Sequence, residues 1–371
     1  MHSTKHTLSL RPLLIACLLA APAAKLAAVD MGGVAIHGSL SGTAAYSDKY
    51  NYYGSTDKKV DVIQKELIVN GTYRFENGLR TSAQLYAYEL DGYQALILDF
   101  ANLDYSFRQE FGVRVGRNKL PAGFYNDVQD LDQVRTFASL PLNFYTRTFR
   151  PISASDDGIA VYGNVGLKQA GNLDYQLYCG VVNPLDRNLP LMKGVGATKI
   201  DPKSTYGGSL VWNTPVDGLR LGYTYQELPK IAAVIGVPLD IDYNVQVVSA
   251  EYSRGKWVAT TEFKRIRNRS FIPLFSSSSV TSEDEWYAQL TYQATDKLGF
   301  GTYYGRSFFE GKGVDNDIAV AASYALQPWW LVKAEIHAME GINNLGLAGD
   351  TNIGATDKRW NYFVVKTTLS F

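Results

Sequence analysis

Hydrophobic and polar residues alternate with a period of two from Val34 to the end of the chain, and runs with helical period are hard to find. In the first segment Val34, Ile36, Leu40, Ala44 and Tyr46 alternate with His37, Ser39, Ser41 and Thr43. A second sets Leu67, Val69, Tyr73 and Phe75 against Glu66, Asn70, Thr72 and Arg74. The Glu76-Asn77-Gly78 turn follows, a hairpin signal, and a third segment alternates Leu79, Ala83, Leu85 and Ala87 with Arg80, Ser82, Gln84 and Tyr86.

The pattern predicts sixteen strands, at about 34–46, 62–75, 79–90, 94–107, 111–117, 158–164, 173–182, 205–213, 219–227, 243–253, 257–265, 284–293, 298–306, 317–325, 329–339 and 360–371. Most approach the roughly 9–11 residues that a tilted membrane strand needs. Short and long connections alternate. Glu76–Gly78, Arg108–Glu110, Arg254–Lys256, Thr295–Lys297 and Gln327-Pro328 are short, whereas 183–204, 228–242, 266–283 and 340–359 are long. In an outer-membrane barrel the short turns are periplasmic, so both termini are expected on that side.

One parity is apolar and almost free of charge, and the other is polar. A soluble barrel would hide its apolar face inside, so the apolar parity is expected to meet lipid and the polar one a water-filled lumen. Leu67, Val69, Leu85, Val161, Leu210, Leu221, Leu290, Val320 and Val332 belong to the first, and Gln84, Gln176, Thr224, Gln289 and Glu335 to the second. Aromatic residues beside six of the seven short turns, Phe75, Phe107, Phe111, Trp212, Tyr252, Trp257, Tyr292, Phe300, Tyr324 and Trp330, read as an interfacial girdle. The fold class expected is all-β: a transmembrane antiparallel β-barrel of sixteen strands.

The N-terminal residues fit a targeted protein. Lys5 and Arg11 lead into the short apolar run Pro12–Ala24, followed by small residues, so 1–28 reads as a signal peptide cut near Ala21-Pro22-Ala23 or Ala27-Ala28. Leu14-Ile15-Ala16-Cys17 matches a lipoprotein cleavage box, but the apolar run continues through it to Ala21. Cys179 would then be the sole cysteine of the mature domain 29–371, which excludes an intrachain disulfide. Three basic residues leave with the leader and no acidic ones, taking the balance of 36 and 36 to a net charge of about −3. No basic field for nucleic acid results. With 25 Tyr and 33 Gly among 371 residues, the chain is rich in aromatics without any run long enough for a membrane helix.

The longest connection, Arg117 to Asp157, carries prolines, aromatics and charges of both signs, unlike a solvated loop. Its run G-R-N-K-L-P-A-G-F-Y-N-D at Gly116–Asp127, the later L-P-L-N-F-Y and the D-D-G at Asp156–Gly158 are similar to proteobacterial porins related to the phosphate-selective group. The general resemblance to Gram-negative porins covers the mature chain by pattern; this finer motif covers about forty residues. The final F-V-V-K-T-T-L-S-F, ending in Phe371, resembles the C-terminal strand that the barrel-assembly machinery reads.

The resemblance implies that 117–157 is the third external loop, folded into the lumen as a constriction. It implies a passive diffusion channel for small hydrophilic solutes, or a substrate-specific anion or phosphate channel. It also implies a homotrimer in outer-membrane lipid and lipopolysaccharide, with no enzymatic activity and no cofactor. The expected constriction residues are Arg117, Lys119, Tyr125, Asp127, Asp130, Asp132, Arg135, Arg147 and Arg150, with Phe137, Phe144, Tyr145 and Phe149 packing on the wall. Strand parity adds Arg74, Arg80, Arg114, Arg220 and Lys264 as lumen-wall cations. Any one of these charges reads equally as a structural ion pair; the set together points to a pore.

Signs of other chemistry are sparse. His37 and His337 share the lumen parity, but two histidines make a weak metal site. There is no G-x-S-x-G or H-E-x-x-H, and Gly305–Lys312 lacks the spacing of a phosphate loop. An outer-membrane barrel hydrolase would need a nucleophile with a histidine partner, for which no local pattern is present. Asp156-Asp157-Gly158 reads as a turn into the sixth strand, because a calcium loop needs more oxygen ligands than its neighbours supply.

Overall fold

The computed structural model describes residues 29–371 except 32, 147–149, 349–351 and 353. Sixteen long antiparallel strands close into one barrel. The first five are β1 (Val34–Ser47), β2 (Val60–Arg74), β3 (Leu79–Leu90), β4 (Tyr93–Arg108) and β5 (Phe111–Lys119). After the long loop come β6 (Ser155–Gly166), β7 (Asn172–Val181), β8 (Thr205–Asn213), β9 (Leu219–Ile235) and β10 (Val237–Arg254). The circuit is completed by β11 (Trp257–Ile272), β12 (Ser277–Gln293), β13 (Leu298–Phe309), β14 (Gly313–Gln327), β15 (Trp330–Glu340) and β16 (Arg359–Ser370). Two three-residue strands are added at the margins: Val29–Met31 beside β1 and Lys199–Asp201 beside β9.

Closure comes from β16 pairing with β1, so the sixteen long strands form a continuous ring. The seam ends in a reciprocal pair of backbone bonds between Gly38 and Phe371, each 2.9 Å. The Phe371 ring occupies the space over Gly38, where a Cβ would stand 2.3 Å from it. Only glycine admits the C-terminal ring at this position.

The faces follow the expected inversion. Val320 (57% exposed), Leu85, Leu210 and Leu290 point outward, while Gln84, Thr224 and Glu335 are buried inside. Phe75, Phe107, Phe111, Trp212, Tyr252, Trp257, Phe300, Tyr324 and Trp330 lie exposed on the outer face around the short turns. The alternation is not unbroken. In β2 a bulge opposite Thr43 and Ala44 moves the outward parity from Leu67 to Val62 and Val60. In β4 a bulge opposite Gln84 and Leu85 leaves Asp99 as the extra residue, turned inward between outward Leu98 and inward Phe100.

Two expected loops are strand instead. Segment 228–242 belongs to the β9–β10 hairpin turning at Gly236, and 266–283 to β11 and β12, joined by a single 3-10 turn at Pro273–Phe275. The β9 extension buries Leu228, Ile231 and Ala233 on one face, whereas Ser277–Thr281 at the start of β12 is exposed on both. The Asp156-Asp157-Gly158 segment is likewise within β6 rather than a turn before it. The expected signal peptide, residues 1–28, lies outside the described residues.

Candidate functional site: an inward-folded loop and a basic arc

The loop between β5 and β6 enters the barrel and binds its inner wall from β9 round to β16. Proline and aromatic residues set its path: the Pro141 carbonyl accepts from the Phe144 and Tyr145 amides at 2.9 Å, making a tight turn. Phe144 and Tyr145 then pack with Tyr287, and Phe137 packs on Tyr303, Ala319 and Ala321. Leu140, Leu142 and Phe144 are buried, so this loop carries a small core of its own inside the lumen.

Polar anchors fix the rest. The Phe124 amide donates to Glu262 (2.8 Å), which also accepts from the hydroxyls of Tyr287 (2.6 Å), Ser249 and Tyr145. Tyr125 donates its hydroxyl to Glu251, and Ser139 its amide to Glu335. Asp132 is buried, paired with Arg135 (2.7 Å) and Lys366 (2.8 Å), and accepts from the Thr368 hydroxyl. Lys333 donates to the carbonyls of Asp132 and Phe137. At the loop's other flank Asp99 and Asp130 share Lys119 and Arg150, with Arg150 stacked 4.8 Å from the Tyr86 ring.

The three aspartates expected to act alike therefore do different things. Burial works to raise the Asp130 carboxyl, but Arg150 and Lys119 outweigh it and hold it well below the usual carboxylate range. The same balance, with Lys366, Arg135 and Lys333, holds Asp132 low. Both are structural anchors. Asp127 alone is exposed to lumen water. Surrounding protein nevertheless desolvates its carboxyl enough to raise it, against the opposing pull of Lys119, Arg220 and Arg114.

Facing the loop, a row of cross-strand neighbours crosses β2 to β5: Arg74 opposite Arg80, Arg80 opposite Asp104, and Asp104 opposite Arg114. Arg80 and Arg114 both reach the same Asp104 oxygen at 2.9 Å, and Tyr162 donates to the other. Two guanidiniums thus share one carboxylate, and Arg74 adds a third positive charge beside them. Arg220 pairs with Glu251 at 2.9 Å and lies 4.3 Å over the Phe124 ring.

Some expected placements are corrected. Arg117 shares the outward parity of Val115 (51% exposed) and pairs there with Asp157 at 2.8 and 3.0 Å, so it does not line the lumen. Lys264 does point inward, but it is closed off by the Phe144 ring and carbonyl and pairs with Glu285. Arg147 and Phe149 lie outside the described residues. Sequence reading missed Asp99, Asp104, Glu251, Glu262, Lys333 and Lys366. Polar parity marked all but Asp99, whose bulge hides it.

The two histidines do not meet. His37 lies near the short turns, whereas His337 pairs across strands with Tyr362, itself opposite Ser47 at the other end of β1. Asp317, Glu335 and Tyr303 are the partners of the His337 ring, with no serine or threonine hydroxyl among them.

No family model matches the sequence. An uncharacterized protein of Aquifex aeolicus (strain VF5) is 31% identical over 108 residues, 28% of this chain, and the match spans about a quarter of that relative's length (24%). Solved structures resemble the fold throughout. The outer-membrane OmpT of Vibrio cholerae aligns over 93% of this chain and 100% of its own with a TM-score of 0.59 and 13% identity. The anion-selective porin from Comamonas acidovorans aligns over 91% and 99% with a TM-score of 0.62 and 12% identity. Salmonella typhi OmpF, in complex with daunomycin, aligns over 93% and 100% with a TM-score of 0.59 and 14% identity. The fold is that of outer-membrane β-barrels.

Proposed function

We propose that this chain is a passive, water-filled diffusion channel of the Gram-negative outer membrane, a porin. Its narrowest section would lie between the Asp127 face of the loop and the Arg74–Arg80–Arg114 row, with Arg220 at the margin. The observation that carries this reading is the pinning of the loop to one side of the lumen. A sixteen-strand barrel is too wide for wall side chains to fill, and a loop held by buried ion pairs narrows it to a fixed bore.

The finer reading is a preference for anions, including phosphate-type oxyanions. Two guanidiniums on one carboxylate, with Arg74 next in the row, leave unmatched positive charge on the open wall, and a guanidinium fork suits phosphate oxygens. A resident cofactor has no part in this function. The surroundings of His337 favour it over a barrel hydrolase, since that ring contacts carboxylates and a tyrosine rather than a serine or threonine nucleophile. Insertion into outer-membrane lipid and lipopolysaccharide, assembly through Phe371 and a homotrimeric state belong to the same proposal.

Reconstitution into planar bilayers tests it. The purified protein should give discrete, ohmic conductance steps in symmetric salt. A barrel that inserts but conducts no ions would be a plugged structural protein, and the porin reading would fail.

A further inference from the structure

Among the buried acids of the inner wall, Asp156 stands apart. Asp99 and Asp104 each accept from at least three side chains, namely Gln84, Lys119 and Arg150 for the first and Arg80, Arg114 and Tyr162 for the second. Asp156 is wholly buried (0% exposed), yet neither carboxylate oxygen has a hydrogen-bond partner. Arg117 cannot serve it, being held on the outer face by Asp157 and the Leu98 carbonyl. A buried carboxylate without compensation is costly, by several kcal/mol as a rule.

Three other oxygens nearby share this condition. Asn118 Oδ1, the Tyr178 hydroxyl and Thr205 Oγ1 are buried and lack a partner at full hydrogen-bond geometry. The Tyr178 and Thr205 hydroxyls interact without reaching hydrogen-bond geometry. The sheet register brings all four residues together. Asn118 on β5 is opposite Asp156 on β6, Gly158 is opposite Gly180 on β7, and Gly180 is opposite Thr205 on β8. The Asn118 amide nitrogen donates to the Gly116 and Gly158 carbonyls, which fixes Oδ1 as the free end.

Glycines clear the space between them. A Cβ on Gly180 would stand 2.2 Å from Asp156 Oδ2, and one on Gly207 would stand 2.7 Å from the Tyr178 hydroxyl. The carboxylate thus leans across Gly180 toward Thr205. Leu120 and Ala160 pack with Tyr178 and close the apolar side. The result is an oxygen-lined recess with one formal negative charge at the foot of the long loop.

We propose that Asp156, Asn118, Tyr178 and Thr205 bind a hard divalent cation of the calcium type. Calcium takes oxygen ligands in flexible geometry and completes its shell with water, whereas magnesium demands a near-ideal octahedron and dehydrates reluctantly. With one carboxylate among neutral oxygens, the affinity belongs to the weak class of extracellular sites, about 10⁻⁴–10⁻³ M. The bound ion would brace β5 to β8 where the loop leaves the wall.

The test is thermal unfolding of protein refolded in detergent without lipopolysaccharide, titrated with calcium chloride after EDTA and compared with sodium chloride at equal ionic strength. The wild type should gain thermal stability with calcium, half-maximal in the range given above, and none with sodium. Asp156→Asn should be at least as stable as the wild type in EDTA, because the uncompensated charge is gone, and should lose the calcium response at least tenfold. Asp157→Asn, altered on the outer face, should keep it. Thr205→Val removes one neutral oxygen and should weaken the response several-fold, which decides the matter if Asp156→Asn does not fold. A wild type indifferent to calcium, or an Asp156→Asn or Thr205→Val protein that responds like it, would overturn the site.

Discussion

Two arcs of the same inner wall carry similar residues and use them differently. From β9 to β16 the wall offers Glu251, Glu262, Lys264, Lys333, Glu335 and Lys366, and the loop engages or covers every one of them. From β2 to β5 the loop engages Asp99 and Lys119 but leaves the row of Arg74, Arg80, Asp104 and Arg114 to one another. Charges on the first arc are desolvated and matched, so they act as fasteners. The guanidiniums of the Arg74–Arg80–Arg114 row outnumber their one carboxylate and keep contact with water, so in the proposed channel they can act on a passing solute. In the proposed channel, whether a lumen charge serves transport or architecture is decided by the loop lying over it.

The largest effect should come from removing the cover. Deleting about a dozen residues around 128–140 should leave the barrel closed, since its strands pair without the loop, and should raise single-channel conductance several-fold. Unchanged conductance would mean that the segment does not limit the bore. Next comes the fastener itself. Asp132→Asn takes the carboxylate from Arg135 and Lys333 and leaves Lys366 with Glu66 alone, and breaking a buried pair of this kind costs about 3–5 kcal/mol. Noisy, flickering channels and a lower unfolding temperature are the expected signs, read by bilayer recording and thermal melts.

Acid should act late on those fasteners. Asp130 and Asp132 are held low in the folded protein, so their contribution is complete above the unfolded value of about 3.9 and is lost as pH falls through their depressed folded values. Channel noise should therefore stay unchanged from neutral pH down to about pH 4 and rise only in stronger acid. An onset near pH 5 or 6 would point to a different group. Smallest is Asp127→Asn, which should shift selectivity modestly toward anions with little change in conductance, because that carboxylate is open to the lumen.

The barrel was legible because its strands set an apolar outer face against a polar lumen, and the sixteen segments keep that rule of alternation apart from bulges such as those in β2 and β4. Legibility ended where the rule did. At the start of β12 both strand faces are exposed, and Ser277–Thr281 reads as loop although it is strand. At Asp99 a bulge adds one residue and reverses parity, so the partner of Lys119 and Arg150 looked like part of an outward row. Within the loop, the composition announced packing, but no local signal separates Asp127 from Asp130 and Asp132. Their fates depend on Arg150, Lys333 and Lys366, the last two some 200 residues away in sequence.

The difference between the two arcs is read most directly by reversal potential across a planar bilayer in a salt gradient. The wild type should show a preference for anions. Arg80→Gln with Arg114→Gln should abolish or reverse that preference while single-channel conductance stays within about twofold, since the loop and bore are untouched. Wild-type channels that favour cations, or a double variant as anion-preferring as the wild type, would contradict the assignment of the open arc as the selective face.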